Sequence, residues 1–200
     1  MDKFSQFASE VDFSKTSFQI ALVSIAFNPT FWNIAARVEY KTHLLTKLAL
    51  GKPKLGCYLL AIIIFSIGLL RDFLYEKALS EQPVSTLLLT PYAKALGALS
   101  FGFGNILVLS SMYKLGITGT YLGDYFGILM DDRVTDFPFN VTNNPMYNGS
   151  FLCFLGTALW YGKPAGIFAS AFVHVMYSIA LKFEEPFTAK IYALRDAKKE

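Results

Sequence analysis

The sequence predicts an all-α integral membrane protein, with about four to five transmembrane or re-entrant helices and a C-terminal helix hairpin. Three observations carry this prediction. Hydrophobic residues make up 54% of the 200-residue chain and charged residues only 16%, whereas soluble domains carry roughly 25% charged residues. Mean hydropathy is +0.40. The charge deficit falls in blocks, at 18–36, 55–70, 92–112 and 150–183, long enough to enter or cross a bilayer. The length allows one domain over 1–200.

The elements follow in order. Phe4, Phe7, Ala8 and Val11 recur at helical spacing, so 1–17 reads as a short amphipathic helix on the membrane surface or as a frayed terminus. No basic n-region precedes an apolar h-region there, so no signal peptide is expected. Residues 18–36 carry no charge, and Asn28-Pro29 predicts a bend or a half-inserted segment. Residues 37–54 form a basic loop with Glu39 as its one acid. Residues 55–70 form a second span, closed by Arg71-Asp72, and 71–91 a polar connector. Residues 92–112 form a third span, whose Gly97, Gly102 and Gly104 admit close approach of a helix or ligand. Residues 113–149 read as a loop rich in glycine, aromatics and acids. The block 150–183 would be about 51 Å long as one helix, and Tyr161-Gly162-Lys163-Pro164 divides it into a hairpin.

If the hairpin returns, loops 37–54 and 113–149 and the C-terminal tail share one membrane face. Most of the Lys and Arg residues lie there, which makes that face cytosolic by the positive-inside rule. The same face would hold Tyr121, Tyr147, Glu184 and Glu185.

Composition excludes several classes. A net charge of +3 is too modest and interrupted for a nucleic-acid surface. Cys57 and Cys153 form no CxxC, and His43 and His174 are the only histidines. A metal site or a disulfide framework is not expected. Among the acids, bases and histidines, His174 is the one residue expected at mid-membrane depth, which argues against a transporter.

The chemistry-bearing residues cluster. Glu184-Glu185 follows an apolar helix and precedes Pro186, so the pair should sit near a helix end, where negative charge is disfavoured. A ligand rich in hydroxyl or cationic groups would account for it; a solvated helix end is the alternative. Gly119–Gly127 mixes glycines, Tyr121, Tyr125 and Asp124, a composition suited to enclosing a methylated ammonium or to an interfacial aromatic belt. Asn143-Asn144-Pro145 marks a turn, with Asn144 a head-group contact or a helix cap. Gly102-Phe103-Gly104 alone is weak evidence, since no strand precedes it and no third glycine follows.

Together, Gly102-Phe103-Gly104, Val108–Leu129, Arg133–Ser150 and Glu184–Tyr192 resemble the phospholipid N-methyltransferase family, in particular its small members from fungi and animals. The resemblance covers roughly residues 18–195. Among the fungal members it is greatest to the smaller of two enzymes, which mainly performs the later methylations. It implies an endoplasmic reticulum membrane enzyme that moves methyl groups from S-adenosylmethionine to a phospholipid amine, giving phosphatidylcholine without a metal. A partner methyltransferase could supply the first step. The family's cofactor motifs carry over to Gly102, Phe103, Gly104, Glu184 and Glu185. A wider relative, the isoprenylcysteine carboxyl methyltransferase, has Arg-His-Pro where this chain has Asn143-Asn144-Pro145. A sterol-reductase-like membrane enzyme and a structural lipid-binding membrane protein remain as alternatives.

On residue chemistry, Asp124, Glu184 and Glu185 are candidates to take the amine proton. Tyr121, Tyr125, Asn144 and Tyr147 are candidates to surround the methylated head group. Arg133 is the candidate for the lipid phosphate.

Overall fold

The computed structural model describes residues 9–197; of the surface helix expected over 1–17, residues 1–8 lie outside them and 10–15 are turn or irregular. Among the described residues, six α-helices and two short 3-10 turns make up the regular structure: α1 (Thr16–Thr42), α2 (Leu44–Leu48), α3 (Pro53–Glu81), α4 (Pro91–Thr120), α5 (Pro145–Trp160) and α6 (Pro164–Asp196). Proline opens α3, α4, α5 and α6, where its missing N–H and fixed φ cost nothing. α3, α4 and α6 are long and apolar enough to cross a membrane. α5 and α6 form the expected hairpin, turning at 161–163, with Gly162 at φ 64. Many of the apolar side chains on the outer faces are exposed, as a lipid-facing surface requires.

Several predicted boundaries move. The loop expected over 37–54 is largely helical: α1 continues to Thr42 and α2 follows at once. Glu39 makes this possible. It is fully buried, and its carboxylate caps α2 by accepting from Leu45 N at 2.6 Å and Thr46 N at 3.3 Å. The connector expected over 71–91 is helical to Glu81, so Arg71 and Asp72 sit inside α3 instead of ending a span. The loop expected over 113–149 begins only after Thr120. Gly116, at φ 63 and ψ −176, breaks α4 with a kink, a conformation that disfavours residues with a Cβ, and a short helical piece carries the chain on to Thr120.

Glu184 and Glu185 do not end a helix: α6 runs through Pro186 to Asp196. The proline cost of about 3 kcal/mol is outweighed by packing beyond it. Phe187 stacks on Tyr125 at 5.0 Å and meets Tyr40 edge-on at 5.1 Å, and Ile191 is buried.

Two clusters hold the bundle. Phe18, Ile25, Tyr75, Leu79, Phe154, Ala169, Val173 and Tyr177 join α1, α3, α5 and α6. Ala36, Cys57, Leu60, Tyr125, Phe126 and Ile191 gather one end of α1, α3 and α6 around the turn Gly123–Phe126. At the opposite end, Lys163 Nζ donates to Gln82 O at 2.6 Å and Ser85 N to Gly162 O at 2.9 Å. The loops after α1 and α4 and the end of α6 therefore lie at one end, and the hairpin turn at the other.

Candidate active site

Three stretches far apart in sequence meet at the α1 C-terminal end of the bundle. Trp32 and Asn33 come from α1, Asp124 and Tyr147 from the segment after α4 and the first turn of α5, and Glu184 and Thr188 from α6. Glu184 is their hub. Its Oε1 accepts from Trp32 Nε1 at 2.5 Å and Asn33 Nδ2 at 2.7 Å, and its Oε2 accepts from Tyr147 OH at 2.5 Å. Three donors on one partly buried carboxylate form strong, charge-assisted bonds that tie three helices together.

Each donor has a local reason for its position. α1 runs through Pro29, and Asn33 Nδ2 also donates to Pro29 O, one turn back, at 3.0 Å, which fixes the side-chain amide. Pro145 starts α5 and places Tyr147 in its first turn. Tyr147 is then held edge-on by Tyr177 at 4.9 Å. One turn beyond Glu184, Thr188 Oγ1 donates to Asp124 Oδ2 at 2.9 Å. Glu185, on an adjacent and exposed face, accepts from Asn144 Nδ2 at 3.0 Å. Further along α6, Arg195 Nη1 donates to Met130 O at 2.7 Å, and Tyr192 OH accepts from Met130 N at 3.2 Å, which straps the following loop over the site.

Of these residues, Trp32, Asp124, Tyr147, Glu184, Thr188 and Met130 border a cavity of about 330 Å³, together with Tyr121, Asn144 and Thr120. Of the residues singled out in the sequence, Asp124, Glu184, Tyr121, Asn144 and Tyr147 meet here, and Glu185 joins through Asn144. Tyr125 does not border the cavity; its ring is buried between Phe187 and Tyr40. Arg133 is exposed in the loop and lies away from the cavity. Arg37 does not border the cavity either, but it bonds the residue before Glu184 on α6. Its Nη2 donates to Phe183 O at 2.8 Å, and its guanidinium rests over the Phe187 ring at 5.0 Å.

The Gly102–Gly104 triplet is split by helix geometry. Gly102 borders a second, larger cavity and has nothing within 4 Å of its Cβ position. Phe103 is exposed on the outer surface. Gly104 is buried against α5, where a Cβ would meet Gly149 O at 2.5 Å. Ser150 borders both cavities and is the residue through which they adjoin.

Trp32, Asn33 and Thr188 were not singled out as site residues. A signal existed for two of them: Asn33 is a polar residue in an uncharged span, and Thr188 stands one helical turn after Glu184.

The phospholipid methyltransferase family model matches residues 92–195. The phosphatidyl-N-methylethanolamine N-methyltransferase of Saccharomyces cerevisiae is 61% identical over 98% of this chain and 94% of its own length. The protein of the same name from Schizosaccharomyces pombe is 60% identical over 91% and 93%. Human phosphatidylethanolamine N-methyltransferase is 47% identical over 91% of each chain. No solved structure matches. A family match over more than half of the chain, and relatives this similar along nearly their whole length, identify the chain as a member of the phospholipid methyltransferase family.

Proposed function

We propose that residues 1–200 form one membrane-embedded domain that N-methylates phosphatidylethanolamine derivatives, chiefly the mono- and dimethyl forms, to give phosphatidylcholine, with S-adenosylmethionine as methyl donor. The observation that carries this reading is the Glu184 hub beside Asp124 at the end of a membrane bundle. It places two carboxylates from different elements on one small cavity bounded by Trp32, Tyr121 and Tyr147. Relatives that cover the whole chain carry names for the same activity.

The methyl donor supplies an electrophilic methyl group on a sulfonium, so the protein needs no covalent intermediate. What remains for the protein is alignment and proton removal. Rigid placement of the reacting groups is worth several kcal/mol, and the bonds on Glu184 supply such rigidity. Glu184 is already engaged by three side-chain donors, whereas Asp124 accepts one side-chain bond, from Thr188. Asp124 is therefore the better placed carboxylate to accept the amine proton. A poorly solvated ammonium at the bilayer edge gives up that proton more readily than one in water. Tyr121 and Tyr147 border the cavity and supply aromatic rings for the methylated ammonium, with Arg133 and Arg37, both outside the cavity lining, as the candidates for the lipid phosphate.

The residues fit an elongated donor in part. Gly102 has open space beside it, Glu184 borders the adjoining cavity past Ser150, and Glu185 joins that cavity through Asn144. These three would hold the donor, while Gly104 packs α4 on α5. The positive-inside rule supports a cytosolic site, and the family resemblance an endoplasmic reticulum membrane, with a partner enzyme for the first methylation.

The test is methyl transfer from labelled S-adenosylmethionine by the purified protein in liposomes. Phosphatidylethanolamine and its mono- and dimethyl forms are offered separately. Label in the methylated forms alone is the expected result. Label in all three makes a partner enzyme unnecessary, and label in none overturns the reading.

A further inference from the structure

The second cavity, about 740 Å³, lies between α3, α4 and α5, on the far side of Ser150 from Glu184. It reaches from the hairpin turn to well within the helices. Arg71 lies about 15 Å along α3 from Glu81, and Gly102 about 16 Å along α4 from Pro91, at 1.5 Å per residue. α3 and α4 make few contacts with each other, so the cavity is a groove between two helices whose outer faces are apolar.

Charge in such a place is costly unless it serves a ligand or a partner. The groove nevertheless carries Arg71, Asp72, Glu76 and Asn105. Arg71 is held by its surroundings: Nη1 donates to Tyr177 OH at 2.6 Å, Nε and Nη2 donate to Asp72 Oδ1 at 2.9 and 2.7 Å, and the guanidinium lies over the Phe154 ring at 5.1 Å. Its side chain is 12% exposed, while that of Asp72 is 54% exposed. Three bonds leave one N–H on each Nη uncommitted, and the pair uses only one oxygen of Asp72. Arg71 is the one cation bordering the groove, and Asp72 and Glu76 are its anions. The groove thus presents one positive and one negative pole side by side, with Phe101, Trp160 and Tyr161 around them.

We infer that Arg71, Asp72 and Glu76 form a receptor for a zwitterion, taking the oxyanion on Arg71 and the ammonium on the two carboxylates. The aromatic residues suit an ammonium that carries methyl groups. This rests on the functional reading above, because both of its reactants are zwitterions of this kind. A phospholipid offers a phosphate and an amine, and the methyl donor offers an α-carboxylate and an α-amine. The volume lies within the usual range for small-molecule sites, roughly 300–1,000 Å³.

Asp72→Asn in the purified full-length protein separates the two sources and leaves the Arg71–Tyr177 bond in place. Two quantities are read. One is the ratio of phosphatidylcholine to phosphatidylglycerol retained in native mass spectrometry after exposure to mixed micelles. The other is the Kd for S-adenosylhomocysteine, which keeps the amino-acid end and lacks the reactive methyl. A fall of about tenfold in the lipid ratio, with Kd unchanged, assigns the groove to the phospholipid. A rise of about tenfold in Kd, with the ratio unchanged, assigns it to the donor. If neither moves in a variant that melts within about 2 °C of the parent, Arg71 serves only to tie α3 to α6 through Tyr177 and the inference is overturned. Should Asp72→Asn not fold, Glu76→Gln, on an exposed residue of the same groove, takes the same two readings. A parent protein that binds these ligands but transfers no methyl group refutes the functional reading and leaves the receptor standing.

Discussion

α4 meets its two neighbours in opposite ways. Against α5 it forms a seam of glycines: a Cβ on Gly97 would meet Gly156 O at 2.9 Å, and one on Gly104 would meet Gly149 O at 2.5 Å. The glycines on each helix are two turns apart, so both pairs fall on one face, and the backbones touch where side chains would otherwise keep them apart. Against α3 the same helix leaves a groove, and Gly102 opens onto empty space. The chemical identity of a glycine therefore says little about its task. Two positions along a helix is a rotation of about 200°, enough to turn a packing residue into a cavity wall.

The comparison can be broken most sharply by exchanging side chains at the two positions. Gly104→Leu should cost at least about 3 kcal/mol, since a leucine cannot enter a backbone contact without separating the helices. Thermal unfolding in detergent should show loss of the folded protein. Gly102→Ala should raise stability by about 0.5–1 kcal/mol in the same measurement, since the position has room for a methyl group and alanine favours the helix. Equal losses at both sites would show that the groove is closed in the membrane.

The active-site end offers a third kind of contact, polar instead of backbone-to-backbone, and it should respond by degree. Glu184→Gln keeps the shape and loses the charge that three donors address. Bonds to a charged group are worth about 1.5–3 kcal/mol each, so turnover in the liposome assay should fall about 100-fold. An unchanged rate would reduce the hub to a surface contact. Tyr147→Phe removes one of the three bonds and should cost about tenfold in turnover, with the Trp32 and Asn33 bonds retained. The smallest effect is expected from Glu185→Gln. Its side chain is exposed and bonded only to Asn144, so stability should hold within about 0.5 kcal/mol. Its Kd for S-adenosylhomocysteine should weaken by a few-fold if it binds the donor.

The amino-acid order alone makes legible an all-α chain with membrane-crossing helices, the place where the hairpin turns, and the gathering of Asp124, Asn144, Tyr147 and Glu184 at one end. These follow from local properties: apolar runs, proline and glycine punctuation, and the sidedness of charge. Only the tertiary structure decided the rest. Pro186 and Arg71-Asp72 read locally as stops, yet α6 and α3 continue through them because contacts from other helices outweigh the local preference. Phe187 on Tyr125 and Arg71 on Tyr177 are such contacts. Glu39 read as a lone loop acid and is the buried cap of α2. Tyr125 read as a ligand contact and is core, because the turn at Gly123–Phe126 aims its ring at Phe187. The partners of Glu184 stand 37, 151 and 152 residues away from it. No local pattern encodes such separations, since they are set by how the helices pack.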